Sequence, residues 1–240
     1  MGAFTSSLSW FGYDVATVDE VSFTQLTLAT ESDRIHSKGV SADVVTLTGN
    51  NGAITGKFNI TQSGTISTTN AKIDVDLNIF HMDNNNGPAK PSKVTLSTVN
   101  APVLARNSLY HIIGKDNHTA TRGGNFSITV STKNGPVDVS FAAAPVDSIL
   151  DVAVGTTNGD SNVHLHPTFE GDLTQVTTNG RANIYQLDGI EDPSGRSRDR
   201  VITWKQTWTW WMIGWVGWGE KKQAGSLIAT TTNGENRLYL

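Results

Sequence analysis

At 240 residues with 37% apolar content, the chain is long enough for one well-buried domain and short for two. Only 17% of residues are charged, against about a quarter in an average domain, and Thr, Asn, Ser and Gly, the residues of strands and turns, fill the difference. A formal charge of −4 argues against a nucleic-acid binder, which needs a basic face, and the lack of cysteine excludes disulfides and thiolate metal sites.

The first stretch, MGAFTSSLSWFGYDV, has neither a basic n-region nor an apolar h-region, so no secretory signal is expected in the sequence as it stands. No apolar run is long enough for a transmembrane helix, and the compartment is left open. Residues 1–40 carry no clear copy of the repeat that follows. Phe23, Leu26 and Leu28 mark a strand there, expected to cap the first coil of a repeat domain spanning 41–240.

From Val45 onward one strand–corner–strand unit recurs seven times, with corners at Asn51, Asn70, Asn100, Asn134, Asn158, Asn179 and Asn233. Inward candidates fall six, four and two residues before the corner and three, five and seven after it. For Asn134 these are Ile128, Val130, Thr132, Val137, Val139 and Phe141. For Asn158 they are Val152, Val154, Thr156, Ser161, Val163 and Leu165. The later set is Ile73, Val75 and Leu77 for Asn70, and Ile54, Gly56 and Phe58 for Asn51. Alternation of period two on both sides of a fixed corner means half-buried strands, and no helical period is sustained. The chain is predicted to be all-β.

Two architectures fit: a β-sandwich of stacked hairpins with Asn-Gly type I′ turns, or a single-domain β-solenoid whose corners are arcs between coils. Two corners read Asn70-Ala71 and Asn100-Ala101, and Ala is strained at the positive φ that a I′ turn demands. Pro102 and Pro136 follow the corner pair directly, where a two-residue hairpin needs an N–H donor. The solenoid is therefore favoured, with about seven irregular coils and with Thr and Asn stacked in ladders at the corners. Steps of 19, 30, 34, 24, 21 and 54 residues separate the corners, and a coil takes about 20 residues. The longer steps hold excursions at 82–93, at 114–124 and before the last copy, and such loops are where repeat proteins bind.

The runs ITGKFNI, STTNAKIDV, STVNAPV and STKNGPVDVSF, followed by DSILDVAVGTTNGDSNVHLHPTFEGDLTQVTTNG, resemble an uncharacterised fungal family of adhesin-like β-solenoid repeats. That family is itself similar to a bacterial adhesin-like family. The resemblance covers roughly residues 45–240 and is most specific over 128–182. It implies a solenoid fold and supplies no activity, substrate or catalytic residue.

The chain departs from that pattern in a Trp-rich insertion at 201–222. It carries Trp204, Trp208, Trp210, Trp211, Trp215 and Trp218, six of the seven tryptophans. A bulge or bend between Trp210 and Trp211 would keep all the rings on one surface. Four roles compete: rings folded onto the solenoid, a surface for a protein partner or second copy, a sugar-stacking platform, and insertion at a membrane interface. Arg196, Arg198, Arg200, Lys221 and Lys222 would suit anionic headgroups, although a solvated linker explains DPSGRSRDR more simply.

His164 and His166 lie two apart on a strand and so share a face, with Asp160 and Glu170 near in sequence. His81 with Asp83 is a weaker pair. No metal site or cofactor is expected, and no two carboxylates stand paired as a glycosidase requires. Asn59, Asn117 and Asn125 open glycosylation sequons. The expected function is a non-enzymatic interaction module that contacts a partner or another copy of itself, with carbohydrate binding as the alternative. A solenoid hydrolase or lyase stands behind both.

Overall fold

The computed structural model describes residues 2–16, 21–83, 90–114, 118–220 and 224–240. Among them there is no helix, and the strands join in one sheet. In chain order they are β1 (Ala3–Leu8), β2 (Tyr13–Ala16), β3 (Ser22–Thr30), β4 (Ile35–Gly49), β5 (Ile54–Ser67) and β6 (Ile73–Met82). Then come β7 (Ser92–Ser97), β8 (Val103–Ile113), β9 (His118–Ala120), β10 (Asn125–Asn134), β11 (Val137–Ala143), β12 (Ile149–Asn158) and β13 (Ser161–His164). The last are β14 (Gly171–Thr177), β15 (Ala182–Tyr185), β16 (Arg200–Trp208), β17 (Trp211–Trp218), β18 (Gly225–Asn233) and β19 (Asn236–Tyr239).

The pairings form two arms. Strands that precede a corner stack in parallel as β1, β3, the second half of β4, the second half of β5, β7, β10, β12, β18 and β14. Strands that follow a corner stack in parallel as β2, the first half of β4, the first half of β5, β6, β8, β11, β13, β19 and β15. β4 and β5 run from one arm into the next without a break, with register shifts at Ser37/Val40 and Ala42/Val44, so the sheet bends until it nearly closes on itself. Parallel, in-register stacking of like units is what coils produce; stacked hairpins would pair antiparallel within each unit.

The core lies between the arms. Every inward candidate of the Asn134 and Asn158 copies is buried, as are Ile73, Val75, Leu77, Ile54 and Phe58; only Gly56 is half-buried. The corners are arcs. Gly52, Gly135, Gly159, Gly180 and Gly234 are absent from the residues of positive φ, so the Asn-Gly pair is not a I′ turn. Glycine recurs there because a Cβ on Gly135, for example, would meet the Ala101 carbonyl of the neighbouring coil. The prolines fit the same arc, and their carbonyls accept from the next coil: Ile73 N–H to Pro102 O at 3.2 Å and Val103 N–H to Pro136 O at 3.1 Å.

The asparagine ladder is continuous. Each side-chain amide donates to the carboxamide oxygen of the next, in the order Asn179, Asn233, Asn158, Asn134, Asn100, Asn70, Asn51, at 2.7–2.9 Å. That order is not the order of the chain. The last copy, β18 and β19, slots between the Asn158 and Asn179 coils. At the other end, β1–β2 and β3–β4 form two further units whose corners at 9–12 and 31–34 lack the asparagine. Residues 1–40, expected as a capping segment, hold strands in both arms.

Candidate functional site

The Trp-rich insertion is a hairpin, β16 and β17, laid along the free edge of β14. β17 pairs antiparallel with β14, Val176 opposite Trp211 and Gly171 opposite Val216, which ends the parallel stack. The two-residue turn completes the closure. Trp210 O accepts from Thr177 N–H at 2.9 Å and Thr209 O from Ala182 N–H at 2.7 Å, so backbone donors of the outermost coil are satisfied.

At Trp210/Trp211, where a bulge or bend is expected, the chain makes a turn, and it does not gather all the rings on one surface. Thr209 and Trp210 form the turn, Trp208 pairs with Trp211, and the register shift falls between Trp204 and Gln206. A bulge at Lys205 reverses the parity of β16, so the rings divide into two sets. Trp204, Ile202 and Val216 turn to the core, Trp204 partly buried over Gly214, where a Cβ would collide with its ring. Trp215 and Trp218 are only 4% and 2% exposed. The Trp218 indole N–H donates to Pro167 O at 2.8 Å, and the Arg200 guanidinium lies 5.0 Å over its ring.

The remaining rings gather at the tip. Trp208 and Trp210 are 50% and 45% exposed, and Trp211 is half-buried. Their centroids lie 5.0–5.9 Å apart, with planes tilted by 29–66°. They form a knob packed on itself, beside the end of the asparagine ladder. Composition alone could not separate these rings from Trp215 and Trp218; the two-residue Thr209-Trp210 turn was the missing information.

The segment read as a solvated linker is instead a clip. Asp192 accepts from Ser194 N–H, Ser194 Oγ and the Arg198 N–H and guanidinium at 2.8–3.1 Å. Arg198 also donates to Glu170 Oε1 at 3.3 Å and to Trp218 O at 3.1 Å. The Arg198 hydrogen bonds hold the Asp192 carboxyl well below the ordinary carboxylate range, burial working against them. Arg200 donates to Pro167 O at 2.6 Å. Two of the arginines expected to face anionic headgroups are thus committed internally; Lys221 and Lys222 lie outside the described residues.

Where carboxylates converge, arginine neutralises them: Arg198 between Glu170 and Asp192, Arg106 between Asp74 and Asp76, Arg237 between Asp160 and Glu235. The Arg106 hydrogen bond lowers the Asp74 pKa, the opposite of what a general acid needs. His164 and His166 do not make a pair. β13 ends at His164, which stacks on Tyr239 at 4.0 Å, and Tyr239 on Tyr185 at 4.8 Å, an outer ladder of rings. His166, beyond the strand, bonds Thr168 Oγ1 at 2.9 Å. His81 and Asp83 gain a partner that the sequence reading missed, His111. His81 and His111 each stand eleven residues after their corners, Asn70 and Asn100, and that equal offset was the available signal.

Of the sequon residues, Asn59 is engaged through its side chain with Ser41 and Asn78, Asn125 opens β10, and Asn117 lies outside the described residues. No helix among the described residues is long and apolar enough to cross a membrane. At the opposite end of the stack, a recess of about 420 Å³ is lined by Phe4, Tyr13, Val15, Phe23, Leu26 and Leu28, and the first corner exposes Trp10 and Phe11. Comparison of the chain with protein-family models, with curated proteins and with solved structures finds no match.

Proposed function

We propose that the protein is a non-enzymatic interaction module, adhesin-like in architecture, that associates end to end with further copies of itself. The observation that carries this reading is the exposed knob of Trp208, Trp210 and Trp211 on a hairpin anchored by the buried Trp215 and Trp218. Large rings held in place before contact lose little conformational entropy on docking, and Trp leads the residues that dominate binding energy. The recess around Phe4, Phe23 and Leu26 at the far end offers an apolar surface to such a knob, and contact between unlike ends builds a ring or an open filament according to whether the rotation closes.

Sedimentation velocity across a concentration series tests this. The wild-type chain should show mass rising with concentration. The double variant Trp208→Ser/Trp210→Ser should remain a monomer while melting as cooperatively as before, since each ring at such a contact contributes about 2 kcal/mol or more. A wild-type chain that stays monomeric, or a variant that assembles equally well, refutes end-to-end association. Carbohydrate binding is the rival outcome. The tilted rings are not the flat platform that stacks a sugar, and a glycan-array hit lost in the same double variant would move the assignment there.

A further inference from the structure

His81 and His111 occupy interior positions; the other inward positions are Ile73, Val75, Leu77 and Ile79 on β6 and Val103, Ala105, Leu109 and the hydrogen-bonded Asn107 on β8. The strands pair in parallel with His81 opposite His111, and the ring centroids lie 5.6 Å apart. Placing two imidazoles side by side in a core costs free energy unless something binds them. Asp83, two residues beyond His81, brings Oδ1 to 3.7 Å from His81 Nε2 and Oδ2 to 3.1 Å from His111 Nε2.

The proton on His111 is located by its other nitrogen. Nδ1 lies 2.7 Å from the Arg122 carbonyl oxygen, which can only accept, so Nδ1 carries a hydrogen and donates it. Gly123 and Gly124 allow the chain to reach this place. Both have positive φ, 80° and 96°, and a Cβ on Gly123 would stand 3.1 Å from Nδ1. In the neutral ring Nε2 is then a bare lone pair, buried without a hydrogen-bond partner and facing a carboxylate oxygen. Two acceptors so close repel unless a cation lies between them. A proton would serve that one pair; a divalent ion serves both imidazoles and the carboxylate at once.

We propose that His81 Nε2, His111 Nε2 and one Asp83 oxygen bind a first-row divalent cation, with Zn²⁺ the best match. One ligand atom from each of the three residues lies within 4.8 Å of the other two, and a tetrahedral ion with bonds of about 2.1 Å holds its ligands about 3.4 Å apart. Side-chain rotation closes that difference. Two nitrogens with one carboxylate suit zinc, whereas calcium and magnesium take shells of oxygen. The bond from Nδ1–H to the Arg122 carbonyl is the outer contact that orients a metal-bound histidine. The Asp83 side chain is half exposed, which leaves a fourth position open to water. Bound there, the ion ties two neighbouring coils together at the ends of β6 and β8.

The full chain, stripped with EDTA, is titrated with ZnCl₂ by calorimetry and melted with and without the ion. One equivalent should bind and raise the melting temperature. Asp83→Asn, a change at a half-exposed side chain, should weaken that binding about tenfold or more, and His111→Gln should abolish it. Co²⁺ should give the visible d–d bands of a tetrahedral site in the native chain and in neither variant. Absence of stoichiometric binding by the native chain, or equal affinity in Asp83→Asn, overturns the site.

Discussion

Thr132 and Asn134 sit two residues apart in one corner and stabilise it differently. Asn134 is exposed and carries two ladder bonds, donating to Asn100 and accepting from Asn158 at 2.8 and 2.7 Å. Thr132 is buried, and its hydroxyl donates to Ala101 O at 2.9 Å in the neighbouring coil. Thr68, Thr98, Thr156 and Thr177 make the same bond to neighbouring corners, at Gly52 O, Ala71 O, Gly135 O and Gly234 O. Water can replace the partners of an exposed amide and cannot reach a buried carbonyl, so Thr132→Val should cost about 1–3 kcal/mol and Asn134→Ala about 1 kcal/mol or less. Urea unfolding of the two variants checks this; the reverse ranking would mean that the outer ladder bears the load. At this scale the sequence was readable. The alternation that picked Ile128, Val130 and Val139 as inward rests on the two-residue period of a strand, which tertiary context leaves intact. His111 was missed because a lone histidine has no signature until the neighbouring coil is laid beside it.

The hairpin of β16 and β17 is one element with two jobs, and its tryptophans divide accordingly. Trp218→Ala should cost about 3–5 kcal/mol by thermal or urea unfolding, the range for deleting a buried aromatic ring, whereas Trp210→Ser at the exposed tip should leave stability nearly unchanged. The Arg198 clip predicts a pH dependence. Asp192 has a folded pKa depressed by Arg198, so its contribution is present above the ordinary carboxylate value of about 3.9 and is lost only as pH falls through the lower folded value. The buried indoles should therefore keep their blue-shifted emission at pH 4 and lose it in stronger acid, and Arg198→Ala should red-shift it already at pH 7. An unchanged spectrum in that variant would show that the clip does not hold the hairpin. None of this was legible in DPSGRSRDR. A charge-rich string reads as solvated until the buried Glu170 and the Trp218 carbonyl arrive from elsewhere in the chain.

The order of the coils belongs to the whole molecule. The seven asparagine corners present the same amide and the same strand polarity, so Asn158 can receive Asn179, 21 residues on, or Asn233, 75 residues on; the structure chooses the latter. A repeat identifies its unit and is silent about which unit neighbours which. The remaining distinction is the hairpin, which follows β14 and β15 in sequence and pairs with the β14 edge, so the Asn179 coil takes the outermost place. Stopping the chain at residue 224 therefore removes an interior coil. Hydrogen exchange should then show protection lost across residues 171–218 and weakened across 149–164, while removal of residues 2–16 should leave those regions protected. Equal protection in the shortened chain would mean that β14 pairs directly with β12.

That arrangement makes synthesis and assembly run out of step. A growing chain of this design can wind its earlier coils one upon another as they appear. The Asn179 coil and its hairpin, however, are translated before the strands on which they rest. Until Gly225–Tyr239 arrives, the edge of β12 lacks its final neighbour, and the neighbour nearest in sequence is the wrong one. The closing step is the insertion of a late segment into a waiting gap, as a keystone enters an arch, and a β12–β14 pairing formed too early would have to open again before the native stack could form.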